Sequence, residues 1–168
     1  MAFREGYRMP VIETEVGNIG LMIGYDLAFP EVARSLVLDG AEILCCIANW
    51  EASQIDEWKT YMRARAYENA AFVVGANRVG EDVTLTFGGE SMIVGPRGQI
   101  YASLASETDP DTGAPLEGFA VARIDLAAAR AAVVEVLQDL DGLLDDAVGF
   151  ATFHVHDEAD AAGVMLEL

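Results

Sequence analysis

Apolar residues recur in short blocks along the first hundred positions, and the spacing inside the blocks changes from one to the next. Val11–Val16 alternates and runs into Gly17-Asn18, a pair that tolerates positive φ and predicts a turn. Ile19–Ile23 and Ile43–Ala48 are nearly continuous apolar runs, the pattern of buried strands. Between them Glu31–Leu38 has helical spacing, with Val32, Leu36 and Val37 around Ala33, acidic Glu31 in its first turn and a stop at Asp39-Gly40. A longer helix is expected over Asp56–Ala71, burying Trp58, Tyr61, Met62 and Ala66 and turning Arg63 and Arg65 away. Phe72–Ala76, Ser91–Val94 and Ile100–Leu104 read as strands, the last two joined across Gly95-Pro96-Arg97-Gly98. Beyond the polar stretch Ser106–Pro115, Phe119–Ile124 predicts another strand and Ala127–Leu140 an alanine-rich helix. Strand–helix–strand–helix–strand order followed by a run of strands predicts a layered α/β architecture.

Composition narrows the partners. The 168 residues are 52% apolar, enough for one domain with a buried core. Ten basic against 28 acidic residues leave a charge of −18, which repels phosphate backbones and anionic headgroups, so neither nucleic acid nor membrane is expected as a partner. No apolar run has the length of a membrane span, and the opening MAFREGYRMP has no apolar signal core, so a cytoplasmic location is expected. The adjacent Cys45 and Cys46 make no disulfide framework. Residues 127–168 carry nine acids and one base against 19 and nine in 1–126; the expected organisation is a main module over 1–126 and an acidic helical tail over 127–168. Lys59 is the only lysine beside nine arginines, a bias that fits either a salt-loving host or a high-GC genome.

Chemistry-bearing motifs come in a fixed order. Residues 17–50 read GNIGLMIGYDLAFPEVARSLVLDGAEILCCIANW, followed by Arg65-Ala66-Tyr67-Glu68-Asn69, Ala76-Asn77-Arg78-Val79-Gly80, Phe87-Gly88-Gly89-Glu90-Ser91 and the Met92–Gly98 turn segment. In this order they resemble the nitrilase (carbon–nitrogen hydrolase) superfamily, whose nucleophile region reads G-x-I-G-x-x-I-C-Y-D-x-R-F-P-E and whose later motifs read R-A-x-E-N, A-N-R-x-G and F-x-G-x-S. The resemblance covers residues 11–126.

That resemblance implies half, or slightly more, of an α-β-β-α sandwich. The family's chemistry is attack of a cysteine thiolate on an amide, nitrile or carbamoyl carbon to give a thioester. A glutamate serves as base, and a lysine with backbone N–H groups steadies the oxyanion, with no cofactor and no metal. The elbow becomes Ile23-Gly24-Tyr25-Asp26, with the Tyr25 N–H as oxyanion donor. Two departures follow: the nucleophile position is Gly24, and the glutamate, lysine and second glutamate belong to the half that would precede Met1. Loss of a nucleophile alone costs about 10⁶ in kcat in a serine protease, so the isolated chain is expected not to hydrolyse small amides. Ala28, Phe29 and Trp50 fall where the family binds substrate, Trp50 as core or rim aromatic or as substrate wall. Ala28, standing where many relatives have arginine, argues against a carboxylate-bearing substrate. Asp26, Pro30, Glu31, Arg65, Glu68, Asn69, Asn77, Gly89 and Ser91 carry the structural motif, with Glu68 and Asn69 a buried pair satisfied by Arg65 or backbone. Cys45 and Cys46 are expected to be structural, with raised pKa.

A half-sandwich leaves one sheet face bare, with Ile19, Leu21, Ile23, Ile43, Leu44, Cys46, Val73 and Val74 as the strand positions that need cover. A partner is therefore expected: a separate amino-terminal half or a second copy of this chain, around a possible small amide-type ligand. Two roles compete, a non-catalytic scaffold or regulatory subunit and one chain of a split amidohydrolase. His154 and His156, with Asp157 and Glu158, form an H-x-H group that could face one way on a strand; without a third ligand at a recognised spacing a solvated strand edge is the better reading.

Overall fold

In the computed structural model, which describes residues 6–105, 108–111, 116–127, 130–131, 152–155 and 164–167, the chain divides into two units, 1–130 and 131–168. The first is built on strands β1 (Ile12–Thr14), β2 (Gly17–Ile23), β3 (Ile43–Ala48), β4 (Phe72–Asn77), β5 (Val79–Asp82), β6 (Leu85–Gly88), β7 (Met92–Val94) and β8 (Ile100–Ser103). Helices α1 (Pro30–Leu38) and α2 (Ile55–Asn69) are the crossovers. The main sheet has the order β1-β2-β3-β4-β7-β8, with β2, β3 and β4 parallel and the remaining pairings antiparallel. This is the layered α/β arrangement that the order of apolar blocks predicts.

Local sequence explains the helix ends. Pro30 opens α1, where its missing N–H costs nothing, and Glu31 follows in the first turn. Ala70, at φ +48, stops α2, and the Ala71 N–H closes back on the Ala66 carbonyl. Both helices lie on one face of the sheet. There Met22, Leu44, Cys46, Val73 and Val94 join Leu27, Ala33, Leu36, Trp58, Met62 and Ala66 in the core. The approach of α2 is close: a Cβ on Gly75 would come within 2.6 Å of Trp58 and Met62. Only glycine on β4 leaves room for Trp58 and Met62 to come this close.

The opposite face is bare over much of its area. Parallel register aligns Ile19 with Ile43 and Phe72, Leu21 with Cys45 and Val74, and Ile23 with Ile47 and Ala76. Leu21, Ile23 and Ile47 keep 54%, 67% and 59% of their surface exposed, while Ile43 and Phe72 are covered by Ile124 and Leu126. Of the eight positions expected to need cover, Leu44, Cys46 and Val73 lie on the helix side and the other five on the opposite face.

Four sequence expectations need correction. The first hairpin turns at Glu15-Val16, not Gly17-Asn18. Thr14 pairs with Gly17, the Thr14 hydroxyl donates to the Gly17 carbonyl and accepts the Val16 N–H, and Asn18 is drawn into the sheet by the Glu42 carboxylate and backbone. Arg65 is buried, because its guanidinium answers carbonyls that the turn after β2 leaves free. Phe119–Ile124 is no strand, since no described strand lies beside it to supply a ladder. The β5–β6 hairpin, missed by hydrophobic pattern, forms across the Asn77–Ser91 motif segment. Most of the expected helix 127–140 lies outside the described residues.

In the second unit, β9 (Thr152–Val155) pairs antiparallel with β10 (Val164–Glu167), and His154 sits opposite Met165. His156, Asp157 and Glu158 lie outside the described residues, among which no group of three His, Cys, Asp or Glu is placed to hold a metal.

Candidate functional site

The parallel strands β2, β3 and β4 all end on the same side, and the loops leaving them carry the motif residues. Such carboxyl ends are where open α/β sheets place ligands. After β2 the chain tightens into a 3-10 turn, Gly24–Ala28. Gly24 takes φ +53, and a Cβ built there would meet nothing within 4 Å. The position is conformationally demanding and sterically open, the two properties of an elbow that presents a group outward. The Asp26 carboxylate accepts the Ile23 N–H at 2.9 Å and locks the bend. Tyr25 occupies the first turn, whose leading N–H groups have no intrahelical partner, a position suited to an oxyanion donor.

Aromatic rings build one wall. Tyr25 stacks on Trp50 at 5.7 Å between centroids and meets Phe29 edge-on at 5.7 Å, while Trp50 also touches Trp58 and Tyr61. Tyr25 and Phe29 stay exposed and Trp50 is buried, so the stack runs from solvent into the core. Of the expected substrate-side residues, Phe29 and Trp50 therefore meet around Tyr25. Ala28 contributes its carbonyl to Arg65.

The structural motif residues form two networks around this wall. Asn77 accepts the Trp50 N–H on its side-chain oxygen at 2.7 Å and donates to the Gly89 carbonyl at 2.7 Å. The Asn77 backbone N–H donates to the Ser91 hydroxyl, which returns a bond to the Asn77 carbonyl. One amide thus ties the ends of β3 and β4 to the loop before β7. Arg65 donates to the Leu27 and Ala28 carbonyls at 2.9 and 3.1 Å and pairs with Glu68 at 2.7 Å, and Asn69 donates back to the Arg65 carbonyl. The expected buried pair is buried on one side only: Asn69 is buried, while Glu68 is exposed because it reaches out from the helix to the Arg65 guanidinium, and the Asn69 side-chain oxygen accepts no hydrogen bond among the described residues.

Sequence reading missed three contributors. Tyr61 lies edge-on to Trp50 and 5.7 Å beneath the Arg65 guanidinium. Trp58 donates to the Glu90 carbonyl, and Lys59 pairs with the Glu90 carboxylate at 2.6 Å. The signal available was the aromatic spacing Trp58-x-x-Tyr61 on one helix face.

Neither cysteine stands at the elbow. Cys46 faces the helices, its Sγ 3.9 Å from the Gly24 carbonyl, and burial together with the nearby Asp26 charge pushes its pKa up to about 12. Burial also raises Cys45, on the opposite face. Both are free thiols held in the neutral form at neutral pH.

Comparison with known proteins identifies the family and the fold. The sequence profile of the carbon-nitrogen hydrolases matches residues 1–132. A probable nitrilase of Schizosaccharomyces pombe is 45% identical over 107 residues, 64% of this chain and 39% of the relative. The 2-oxoglutaramate amidase of Bacillus subtilis is 36% identical over 105 residues, 62% and 37% of the two chains. Among solved structures, the carbon-nitrogen hydrolase of Helicobacter pylori superposes with a TM-score of 0.66 at 27% identity, over 87% of this chain and 51% of that one. A cysteine-to-alanine mutant of the amidase from Nesterenkonia sp. AN1, in complex with butyramide, gives 0.63 at 26% identity over 82% and 50%. The matched region thus spans about half the length of the structural relatives and less than that of the curated ones. On the profile match and the fold, the chain belongs to the carbon–nitrogen hydrolase family.

Proposed function

We propose that this chain is a cytoplasmic, ligand-holding and non-hydrolysing module of small-amide carbon–nitrogen hydrolase descent, working without cofactor or metal. The observation that carries the proposal is Gly24. It sits at the elbow with open space above it and the Tyr25–Trp50 stack beside it, so the pocket end keeps its shape while the reacting atom is gone. Thioester formation needs a thiolate there, and the protonated, buried Cys46 offers none. Relatives named as omega-amidase and 2-oxoglutaramate amidase support a small amide as the ligand class. The butyramide complex of the cysteine-to-alanine amidase mutant supports binding without that thiol. In the working assembly the bare sheet face is covered, by the other half of the family's sandwich or by a second copy of the chain.

A second reading, a scaffold or regulatory subunit, is favoured by the uncharged, exposed face around Leu21, Ile23 and Ile47. Titration with butyramide under tryptophan fluorescence, with ammonia release followed in the same samples, separates the two. A saturable fluorescence change without ammonia supports the holding module. Ammonia release by the unaltered protein overturns it, and no response in the assembled protein leaves the scaffold. Gly24→Cys, co-expressed with the amino-terminal half of the Bacillus subtilis amidase, is expected to regain ammonia release.

A further inference from the structure

Glu90 holds a backbone conformation that its side chain resists. Its φ is +53, in the left-handed region where glycine is at ease and a residue with a Cβ is strained. The residue before it, Gly89 at φ +62, is the glycine that such a bend asks for. Position 90 would bear less strain as a second glycine, yet a glutamate stands there.

Helix α2 grips this residue twice. The Glu90 carboxylate meets Lys59, the only lysine of the chain, at 2.6 Å, and the Glu90 carbonyl accepts the indole N–H of Trp58 at 2.9 Å. Two successive helix residues thus hold one residue of the loop before β7, Trp58 from the core and Lys59 from the surface. The Lys59 side chain keeps 38% of its surface and that of Glu90 22%, so solvent screens the pair and it contributes little stability. Strain retained for so small a stabilisation points to a constraint other than stability.

The grip acts on Trp58. That ring is wholly buried and lies 5.8 Å from Trp50, which stacks on Tyr25 beside the elbow. Gly75 of β4 bounds it from the sheet and the Glu90 carbonyl from the loop. These contacts all lie within the first unit, on the side of the sheet that the helices cover. We propose that Glu90 is a positioning residue: held by Lys59, it fixes the tilt of Trp58 and, through it, the Trp50–Tyr25 wall against which the amide rests. The ligand part of this inference rests on the amide-holding reading; the wall geometry rests on the two tryptophans alone.

The test uses the full chain, in which Trp50 and Trp58 are the only tryptophans. Their ring pair gives a near-ultraviolet circular dichroism signal that follows its tilt with no ligand present. Glu90→Gly, Lys59→Met and the double substitution are compared with the exchanged pair, Lys59→Glu with Glu90→Lys. Each single substitution is expected to change that signal and to weaken butyramide binding, read by tryptophan fluorescence, roughly fivefold. The double substitution is expected to do no more than either single one, since both break the same contact. The exchanged pair is expected to regain most of the signal and affinity, and Glu90→Gly to keep or raise the urea midpoint as strain is relieved. A lowered midpoint with signal and affinity unchanged overturns the proposal and leaves a structural ion pair. Single effects that add in the double substitution overturn it too. If the unaltered protein gives no response to butyramide, the amide-holding reading falls and the dichroism signal alone decides. A signal unchanged in both single variants then overturns the role of Glu90, and one changed in both and restored by the exchange upholds it.

Discussion

Tyr25 stacks on Trp50 with ring planes 20° apart, and this contact joins the turn after β2 to the turn after β3. Trp50 is fixed from behind as well, its backbone N–H held by Asn77 and its indole N–H by the Gln54 carbonyl. The wall of the site is therefore as rigid as the polar groups behind it.

Asn77→Ala tests that support. The substitution strips a partner from the buried Trp50 N–H and Gly89 carbonyl, each costing on the order of 1–3 kcal/mol when left unsatisfied. A loss of about 2–4 kcal/mol in urea unfolding is expected, with a red-shifted tryptophan emission in the folded protein. An unchanged denaturation midpoint would remove Asn77 from the framework.

Gly24→Ala probes the elbow. At φ +53 any side chain costs roughly 1 kcal/mol, while open space above the position adds no clash. A melting temperature lowered by a few degrees is the expected result. In Gly24→Cys the new thiol, facing that space, should be alkylated at neutral pH far faster than Cys46, as mass mapping would show.

Cys46 ties stability to pH on the alkaline side. Its pKa rises from about 9.0 in the ordinary state to about 12 in the fold, so between these values the unfolded chain has released a proton that the native chain retains. Unfolding is then favoured as pH climbs. The contribution is complete below about pH 9 and is lost on approach to 12. Cys45, also raised, acts in the same direction. Cys46→Ala should flatten the decline between pH 9 and 11 in chemical denaturation; an equally steep decline would assign it to other groups.

Arg65→Lys is not conservative here. One planar guanidinium serves two carbonyls and a carboxylate, a set that a single ammonium cannot reproduce. A loss of about 2–4 kcal/mol is expected for lysine, and no less for methionine, which leaves both carbonyls unanswered. Retention of wild-type stability by Arg65→Lys would show that the Leu27 and Ala28 carbonyls find other donors.

Salt should stabilise the protein if its acidity is an adaptation. With 28 acidic residues and one lysine, self-repulsion is screened as KCl rises. Refolding yield and midpoint are expected to rise together between about 0.1 and 2 M KCl, roughly the range over which the Debye length falls from about 10 Å to below 3 Å. Indifference to salt would favour genome composition as the origin of the bias.

Much of this architecture was legible before any coordinates. Continuous apolar runs marked β2, β3 and β4 because a strand under two helices must be apolar on its covered face. Pro30 with Glu31, and Asp39-Gly40, marked the ends of α1 through backbone chemistry that acts within one turn. The motif order pointed to the elbow at Gly24. The β5–β6 hairpin left no such trace, since its residues VGED and LTFG lack the alternation that a buried face imposes.

What sequence by itself determined is therefore local and periodic: element types, helix ends, the motif series and the missing side chain at position 24. Tertiary structure alone decided the roles that depend on distant neighbours. Arg65 reads as a solvent-facing helix residue until the Leu27 and Ala28 carbonyls are brought to it from 38 and 37 positions away. Phe119–Ile124 reads as a strand, and keeps a strand's alternation, but a strand exists only where another supplies its hydrogen bonds. Periodicity reports which side of a segment is apolar; whether a partner lies on that side is a fact about the whole chain in space.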